Sequence, residues 1–221
     1  MVGKNPKRVF WEALLITIVV FVGGIVFGVS LEGKRVDNIN EYYLQSEISM
    51  MDILALNSFI GNDDLGCNDL VISNFEFADR IYEEALLLEK YEDSGRVTET
   101  MKLEHKKYDL LRTFLWDNAI ASKEKCKADF DVVVYLYNAE PSDLAEKAEN
   151  GVWSKILLDV KQVNGNDVLL IPVAVDSDLV SLNSKLSNFE ISSYPAVVVN
   201  DEIVVTEVES SEEILKLLEN N

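Results

Sequence analysis

The feature that most constrains the fold is an uncharged and strongly apolar run at residues 13–31. As a helix at 1.5 Å per residue it would extend roughly 28 Å, close to the hydrocarbon thickness of a bilayer. A cleaved secretory signal has a shorter apolar part and ends in small residues, whereas residues 27–31 read FGVSL. The run therefore predicts an uncleaved transmembrane signal anchor, rather than a signal peptide or the buried helix of a soluble protein.

The charges on either side of this run predict its orientation. Lys4, Lys7 and Arg8 precede it together with the amino terminus, Lys34 and Arg35 follow it, and residues 36–50 add no further base. Positive charge is retained on the cytoplasmic side of membranes. We expect a single-pass protein of the cell membrane whose N-terminus is cytoplasmic and whose later domains are extracytoplasmic.

Two glycines inside the run bear on oligomeric state. Gly24 and Gly28 form a small-xxx-small pair, a spacing that lets a second helix approach closely but that also occurs by chance in apolar helices. A homodimer through Gly24 and Gly28 is therefore one prediction, and a monomer is the other.

The charge of the chain beyond residue 35 narrows the class of partner. Five of the 20 Lys and Arg residues and two of the 39 Asp and Glu residues lie in residues 1–35, so the rest of the chain carries a net charge of about −22. Such a surface repels phosphate backbones and anionic lipids. We therefore expect no nucleic acid as a partner. Negative charge of this kind is typical of a soluble surface, rather than of a dedicated site for basic ligands.

The chain has two cysteines, Cys67 and Cys126, too far apart in sequence for a redox pair. In an oxidising exterior we expect them to form a disulfide, which would contribute about 4 kcal/mol in the chain-entropy model. The alternative is two free thiols, buried or reactive. With one histidine in the chain, zinc is disfavoured, and we predict no metal and no cofactor.

Residues 36–127 read as a helical juxtamembrane region. Apolar residues recur at helical spacing in three segments, broken by turn-rich residues at 61–66 and 93–95. The expected helices run from residue 36 to the first break, from 68 or 69 to 91, and from 98 to 121. They predict a small bundle, or a hairpin with a stalk.

Residues 128–221 alternate strand and helix signals. Strands are expected at 131–137, 168–175, 196–199 and 203–206, and helices at 141–160, 178–189 and after Ser210 or Ser211. Leu144 and Trp153 are expected to face a core, and Pro172 predicts either a bulge or a strand with one unpaired edge. The fold class is α/β, a mixed sheet flanked by helices.

The order of these elements, with Tyr194 and Pro195 directly before the Val-rich segment that begins at Ala196, resembles the thioredoxin superfamily over residues 128–221. The resemblance implies that Pro195 is a cis-proline and that Tyr194 and Ala196 flank a groove for extended peptides.

The family's catalytic cysteine pair is absent. The best alignment places Pro141 and Leu144 at the two cysteine positions, with Ser142 and Asp143 between them. Serine cannot replace a low-pKa thiolate in disulfide exchange, so we expect no catalytic residue here. Other thiol chemistry would require Cys126 to fold back to this position.

Three functions are compatible with these patterns. The first, which we prefer, is a redox-inactive binding or scaffold module that engages an envelope protein or an extended peptide. The second is an accessory to thiol–disulfide exchange that uses Cys67 and Cys126. The third is a structural or sensor-type extracytoplasmic domain, which a helix continuing from the membrane to Asn57 would favour.

Overall fold

The computed structural model describes residues 6–59, 66–92, 99–208 and 210–219. The chain divides into two units, Met1–Gln45 and Ser46–Asn221. Each unit is described by itself.

The first unit is helical. Helix α1 spans Pro6–Phe59 and contains the apolar segment Phe10–Ser30, whose mean hydropathy is 2.6 and whose side chains are exposed. Among the described residues this is the one helix long and apolar enough to cross a membrane. Thr17 donates its hydroxyl to the Ala13 carbonyl oxygen at 2.9 Å, which satisfies the hydroxyl within the helix. The predicted long apolar helix is confirmed.

The second unit contains a helical hairpin. Helix α2 spans Cys67–Glu92 and helix α3 spans Glu99–Cys126. Cys67 and Cys126 form a disulfide with their Cα atoms 5.5 Å apart, so the first residue of α2 is joined to the last residue of α3. Helix α3 ends five residues beyond the predicted end at residue 121, because its last turn still packs beside α2.

A buried polar network joins the two helices of the hairpin. Asn118 donates to Asn74 at 2.8 Å, Asn74 donates to the Ser122 hydroxyl at 3.0 Å, and Ser122 donates to the Ala119 carbonyl at 2.9 Å. The side chains of Asn74, Asn118 and Ser122 are all buried. Since the amide and hydroxyl groups are partnered, the network specifies the register of α2 against α3.

Four strands form one mixed sheet. They are β1 (Asp131–Tyr137), β2 (Val168–Ala174), β3 (Ala196–Val199) and β4 (Ile203–Val205), in the spatial order β2-β1-β3-β4. Strands β1 and β2 are parallel, and β3 is antiparallel to both β1 and β4. The α/β class with a mixed sheet is confirmed.

Helices cover both faces of this sheet. Helices α4 (Leu144–Asn164) and α6 (Ser211–Glu219) share a core with one face, which includes Val133, Tyr135, Trp153, Leu157 and Ile214. Helix α3 packs against β1 and β2 and also contacts α5 (Val180–Leu186). Successive side chains of a strand point to opposite faces, so Val132, Val134 and Leu136 lie on the face toward α3.

The packing of α3 changes the predicted division of the chain. The third helix of the predicted helical region (residues 36–127) covers a face of the sheet in the predicted α/β domain (residues 128–221). Residues 46–221 accordingly form one compact unit.

Pro172 lies in an edge strand of the sheet. It lies in β2, opposite Tyr135 of β1, in a register that continues without a bulge from Asp131 to Tyr137. Strand β2 is at the edge of the sheet, so the missing N–H falls where no ladder bond is needed. The second of the two expectations for Pro172 is therefore the correct one.

Candidate binding site at the carboxyl edge of the sheet

The sheet topology brings three loops to one edge. Tyr137 and Ala174, the last residues of the parallel strands β1 and β2, lie opposite each other. Strand β3 runs the other way and begins with Ala196 beside Leu136. We call this region the carboxyl edge; it consists of residues 138–143, 175–179 and 189–195.

The residues predicted to flank a groove lie at this edge. The Tyr194–Pro195 peptide bond is cis. The side chains of Pro195 and Ala196 are buried, and Tyr194 remains partly exposed. Burial raises the pKa of the Tyr194 hydroxyl above its usual value. Of these three residues, Tyr194 is the one whose side chain a partner can reach.

The residues predicted to replace the cysteine pair, residues 141–144, lead into α4. Asp143 is the N-cap, and its carboxylate accepts hydrogen bonds from the N–H groups of Ala145 and Glu146, both at 2.9 Å. The helix therefore begins at Leu144 and not at the predicted Pro141 or Ser142. Leu144 was expected to face a core, and this is wrong, because its side chain is 84 % exposed.

Glu146 stabilises the loop that precedes α4 through hydrogen bonds. Its carboxylate accepts from the N–H and the hydroxyl of Ser142, both at 2.7 Å, and from the Asn138 amide at 2.6 Å. Hydrogen bonds from Asn138 and then from Ser142 lower the pKa of Glu146. The N–H groups of Ala145 and Glu146 are thus bonded to the Asp143 carboxylate, and the N–H of Ser142 is bonded to the Glu146 carboxylate. A thiolate placed here would meet negative charge instead of free N–H groups.

A third carboxylate holds the same loop from the other strand. Asp176, in the loop after β2, accepts from the N–H groups of Ala139 and Glu140 at 2.9 and 2.8 Å, one with each oxygen. The loop after β1 is therefore fixed from both sides, by Asp176 and by Glu146.

Helix α3 reaches this edge from the second face of the sheet. Lys102 forms an ion pair with Glu140 at 3.0 Å, and Lys106 donates to the Asp178 carbonyl oxygen at 2.9 Å. One turn further along α3, Asp109 accepts from the Ala174 N–H at 3.1 Å. These contacts attach the loops after β1 and β2 to one helix.

Asp109 is the buried centre of this attachment. Its side chain is 4 % exposed, and its nearest charge is the Arg112 guanidinium at 3.6 Å. Burial raises the pKa of Asp109, while Arg112 opposes that shift. Burial also raises the pKa of Tyr137, whose hydroxyl interacts with Arg112. Asp109 and Arg112 are charges that must remain paired, because either one alone would be a buried charge.

Three aliphatic side chains are strongly exposed around this edge. Leu144 is 84 % exposed at the start of α4, Val180 is 85 % exposed at the start of α5, and Leu103 is 63 % exposed beside Lys102 on α3. Single exposed aliphatic residues are ordinary on protein surfaces. Leu144 and Val180 each follow directly after a loop of this edge, and with the partly exposed Tyr194 they are apolar side chains that a partner could contact there.

The disulfide lies at the other end of the sheet. Cys126 precedes Asp131, the first residue of β1, whereas the carboxyl edge follows Tyr137. Six strand residues at about 3.3 Å each separate the two ends by roughly 20 Å. Cys126 is bonded to Cys67, and these are both of the cysteines in the chain. Thus Cys126 does not fold back to the carboxyl edge.

Comparison with known proteins does not assign the chain to a family. No protein-family model, no curated protein and no solved structure matches it. Among the described residues, no group of three His, Cys, Asp or Glu side chains is placed to hold a metal ion.

Sequence reasoning found Ser142, Asp143, Tyr194 and Pro195 of this edge, but not the side chains of Asp109, Arg112, Glu146 and Asp176 that hold its loops. The sequence pattern could have indicated Asp176, because this residue follows a predicted strand and begins a turn-forming segment with Ser177 and Asp178. Asp109 and Arg112 had no such signal, because they lie inside a helix and their partners are far away in the chain. Only the packing of α3 on the sheet brings them to the carboxyl edge.

Proposed function

We propose that this protein is a single-pass, membrane-anchored and redox-inactive thioredoxin-like protein whose extracytoplasmic part binds an extended segment of a partner. The observation that carries the proposal is the exposure of aliphatic side chains at the carboxyl edge. Leu144 and Val180 are 84 % and 85 % exposed where α4 and α5 begin, directly after two loops of this edge. The proposal is of a binding or scaffold module and not of an enzyme.

The order of the elements supports the thioredoxin-like part of the proposal. Strand, helix, strand, helix, strand, strand and helix follow one another from β1 to α6. This is the order on which the resemblance rests, and Tyr194 and Pro195 stand directly before β3 at the edge where the resemblance implies a peptide groove.

The electrostatics of the edge support the absence of redox chemistry. Carboxylates of Asp143, Glu146 and Asp176 hold the loop where the family has its cysteines. A nucleophilic thiolate requires the opposite environment, with positive charge or free N–H groups. Both cysteines of the chain are engaged with each other at the far end of the sheet.

The anchor and the disulfide together support the topology. The apolar segment Phe10–Ser30 is long enough to cross a bilayer, and the basic residues before it favour a cytoplasmic N-terminus. A disulfide in the second unit fits the oxidising side of the membrane.

The chemistry of the edge indicates what the partner presents. Aliphatic side chains provide its exposed apolar contacts, while Lys102 and Lys106 are already engaged with the loops that they hold. We expect an extended segment with apolar side chains to cover Leu144 and Val180, with its backbone near the residues flanking Pro195.

A peptide selection tests this proposal. The full-length protein in lipid nanodiscs would be used to select binders from a random peptide library displayed on phage, with empty nanodiscs removing background. Selected peptides are expected to bind at least tenfold more weakly to Leu144→Asp and Val180→Asp. Val163→Asp is the matched control, since Val163 is an exposed aliphatic residue near the other end of α4. Equal binding to all three variants, or no selected peptide, would overturn the proposal.

One observation favours a second candidate, a structural or sensor-type domain. Helix α1 continues from Pro6 to Phe59, past Asn57, without an interruption. A continuous helix can relay or dimerise, and it contains Gly24 and Gly28. The second candidate requires a dimer in the bilayer whose formation depends on these glycines. If the protein is a monomer in native vesicles, the second candidate is wrong and the binding module remains as the proposed function.

A further inference from the structure

The two edges of the sheet are protected differently. Strand β2 forms one edge, where Pro172 lacks an N–H and where α2 packs against the strand. Strand β4 forms the other edge. It has no proline, and among the described residues it pairs with β3 alone. Unpaired edges are templates for another strand, and proteins commonly cover or blunt them.

A groove lies beside the open edge. Its volume is about 470 Å³, and its walls include Val204 and Glu202 from the β4 side and Glu190 from the segment after α5. The side chains of Ile203, Val204 and Val205 are all partly exposed. The edge therefore offers backbone groups, partly exposed apolar side chains and a concave surface in one place.

The charge around this edge is negative. Asp201 and Glu202 precede β4 and Glu207 follows it. The groove has one basic side chain, Lys185, which is engaged with Asp201 at 2.8 Å and with Asp117 at 3.3 Å. Glu190 and Glu202 form no ion pair with a described residue. Acidic charge is thus left at both ends of a short apolar strand.

We propose that the β4 edge binds an extended segment of a partner protein as an added strand, apolar in its centre and with Lys or Arg at both ends. Main-chain hydrogen bonds to β4 would provide affinity, and the basic ends would be chosen by Glu202 and Glu207. A partner of the opposite charge is also drawn toward a chain whose net charge is −19.

The same charges argue against a second copy of this chain as the occupant. Two β4 strands paired antiparallel would place Glu202 of one copy near Glu207 of the other. Like charges opposite each other destabilise a strand pair. The acidic ends therefore select a basic partner over self-association.

The groove adjoins the carboxyl edge through Glu190, but Leu144 and Val180, on which the function proposed above depends, do not line it. The turn before β4 lies at the amino end of β1, because the Asn200 N–H donates to the Val132 carbonyl oxygen at 2.9 Å. The carboxyl edge lies beyond Tyr137, at the other end of the same strand. The two proposals can consequently fail independently.

A direct binding measurement tests the proposal. Full-length protein in nanodiscs would be titrated into a fluorescein-labelled peptide, Lys-Arg-Thr-Val-Thr-Val-Thr-Lys-Arg, and followed by fluorescence anisotropy. One control peptide has Glu in place of every basic residue, and another has alternate backbone nitrogens methylated, which removes N–H donors. The protein variant is Glu202→Lys with Glu207→Lys. Its control is Glu149→Lys with Asp159→Lys, the same charge change on exposed residues of α4.

We expect the basic peptide to bind, the variant at Glu202 and Glu207 to bind it at least tenfold more weakly, and both control peptides to bind poorly. Hydrogen exchange should slow at residues 203–205 when the peptide is bound. Equal binding of the methylated peptide would overturn strand addition, and equal weakening by the α4 variant would overturn the specific site. No binding, or a dimer of the chain that occupies this edge, would also overturn it. Leu144→Asp should leave this binding unchanged, which separates it from the function proposed above.

Discussion

The carboxylate of Asp109, buried in α3, accepts a hydrogen bond from the backbone N–H of Ala174, the last residue of β2, at 3.1 Å. The two residues are 65 positions apart in the chain, and this bond ties the helical hairpin to the edge of the sheet. Arg112 provides the compensating charge at 3.6 Å. Together with the buried apolar residues of α3, this small cluster joins the helix to the sheet.

Removal of the Asp109 carboxylate should therefore destabilise the second unit strongly. We expect Asp109→Ala to lower the free energy of unfolding by about 3 kcal/mol or more, because Arg112 would remain as an unpaired buried charge. Urea denaturation of the full-length protein in detergent, followed by tryptophan fluorescence, would measure the change.

The double variant separates charge from packing in this cluster. Asp109→Ala combined with Arg112→Met should be less destabilised than the sum of the two single variants, since no buried charge remains alone. Additive losses in this cycle would show that the two side chains do not act as a pair.

The same carboxylate should give stability a defined pH dependence. Burial raises the folded-state pKa of Asp109 above its ordinary value of 3.8. Arg112, then the hydrogen bond from the Ala174 N–H, and then His105 oppose the shift, and Asp176 adds to it. Because the folded chain holds this proton more tightly than the unfolded chain, the contribution is complete below the ordinary pKa and is lost as pH rises through the folded-state pKa.

Comparison with Asp109→Asn isolates this contribution from the other carboxylates. The difference in unfolding free energy, wild type minus variant, should be largest at acid pH and should fall as pH increases. A difference that rises with pH would show that pairing with Arg112 outweighs burial.

The disulfide between Cys67 and Cys126 should contribute mainly to stability. The bond joins residues separated by 59 positions, and in the chain-entropy model its loss costs about 4 kcal/mol. Cys67→Ser with Cys126→Ser should lower the melting temperature, measured by circular dichroism, and retain peptide binding at the carboxyl edge. Lost binding in a variant that is still folded would instead favour a role for the disulfide in function.

The cap of α4 should control the loop at the carboxyl edge. We expect Asp143→Ala to cost about 1 kcal/mol, since the N–H groups of Ala145 and Glu146 lose their acceptor. Faster hydrogen exchange over residues 138–146 would report the loosened loop. Asp159→Ala, an exposed residue within the same helix, serves as the control and should leave that exchange unchanged.

The two glycines of the apolar helix offer a test of oligomeric state. A Cβ atom placed on Gly24 or Gly28 would have no neighbour within 4 Å among the described residues, so larger side chains fit in a single copy. Gly24→Leu with Gly28→Leu should leave a monomer unaffected and abolish a dimer formed through this face. Chemical cross-linking in native vesicles, wild type against variant, distinguishes the two.

Local patterns in the sequence determined the elements of this protein. The uncharged run gives α1 its apolar segment, and helical spacing in residues 68–121 gives α2 and α3. The β-branched runs give β1 to β4. Each of these outcomes depends on residues a few positions apart, so the sequence alone was sufficient.

Tertiary structure decided how those elements assemble. The sequence predicted a boundary at residue 127, yet α3 covers a face of the sheet, where its apolar residues are buried and Asp109 accepts from the Ala174 N–H, 65 positions away. The same is true of Asp176 holding the loop after β1, and of the groove beside β4. Such contacts depend on which faces meet after folding. The periodicity of one segment predicts which of its faces is buried, but not which other segment packs against that face.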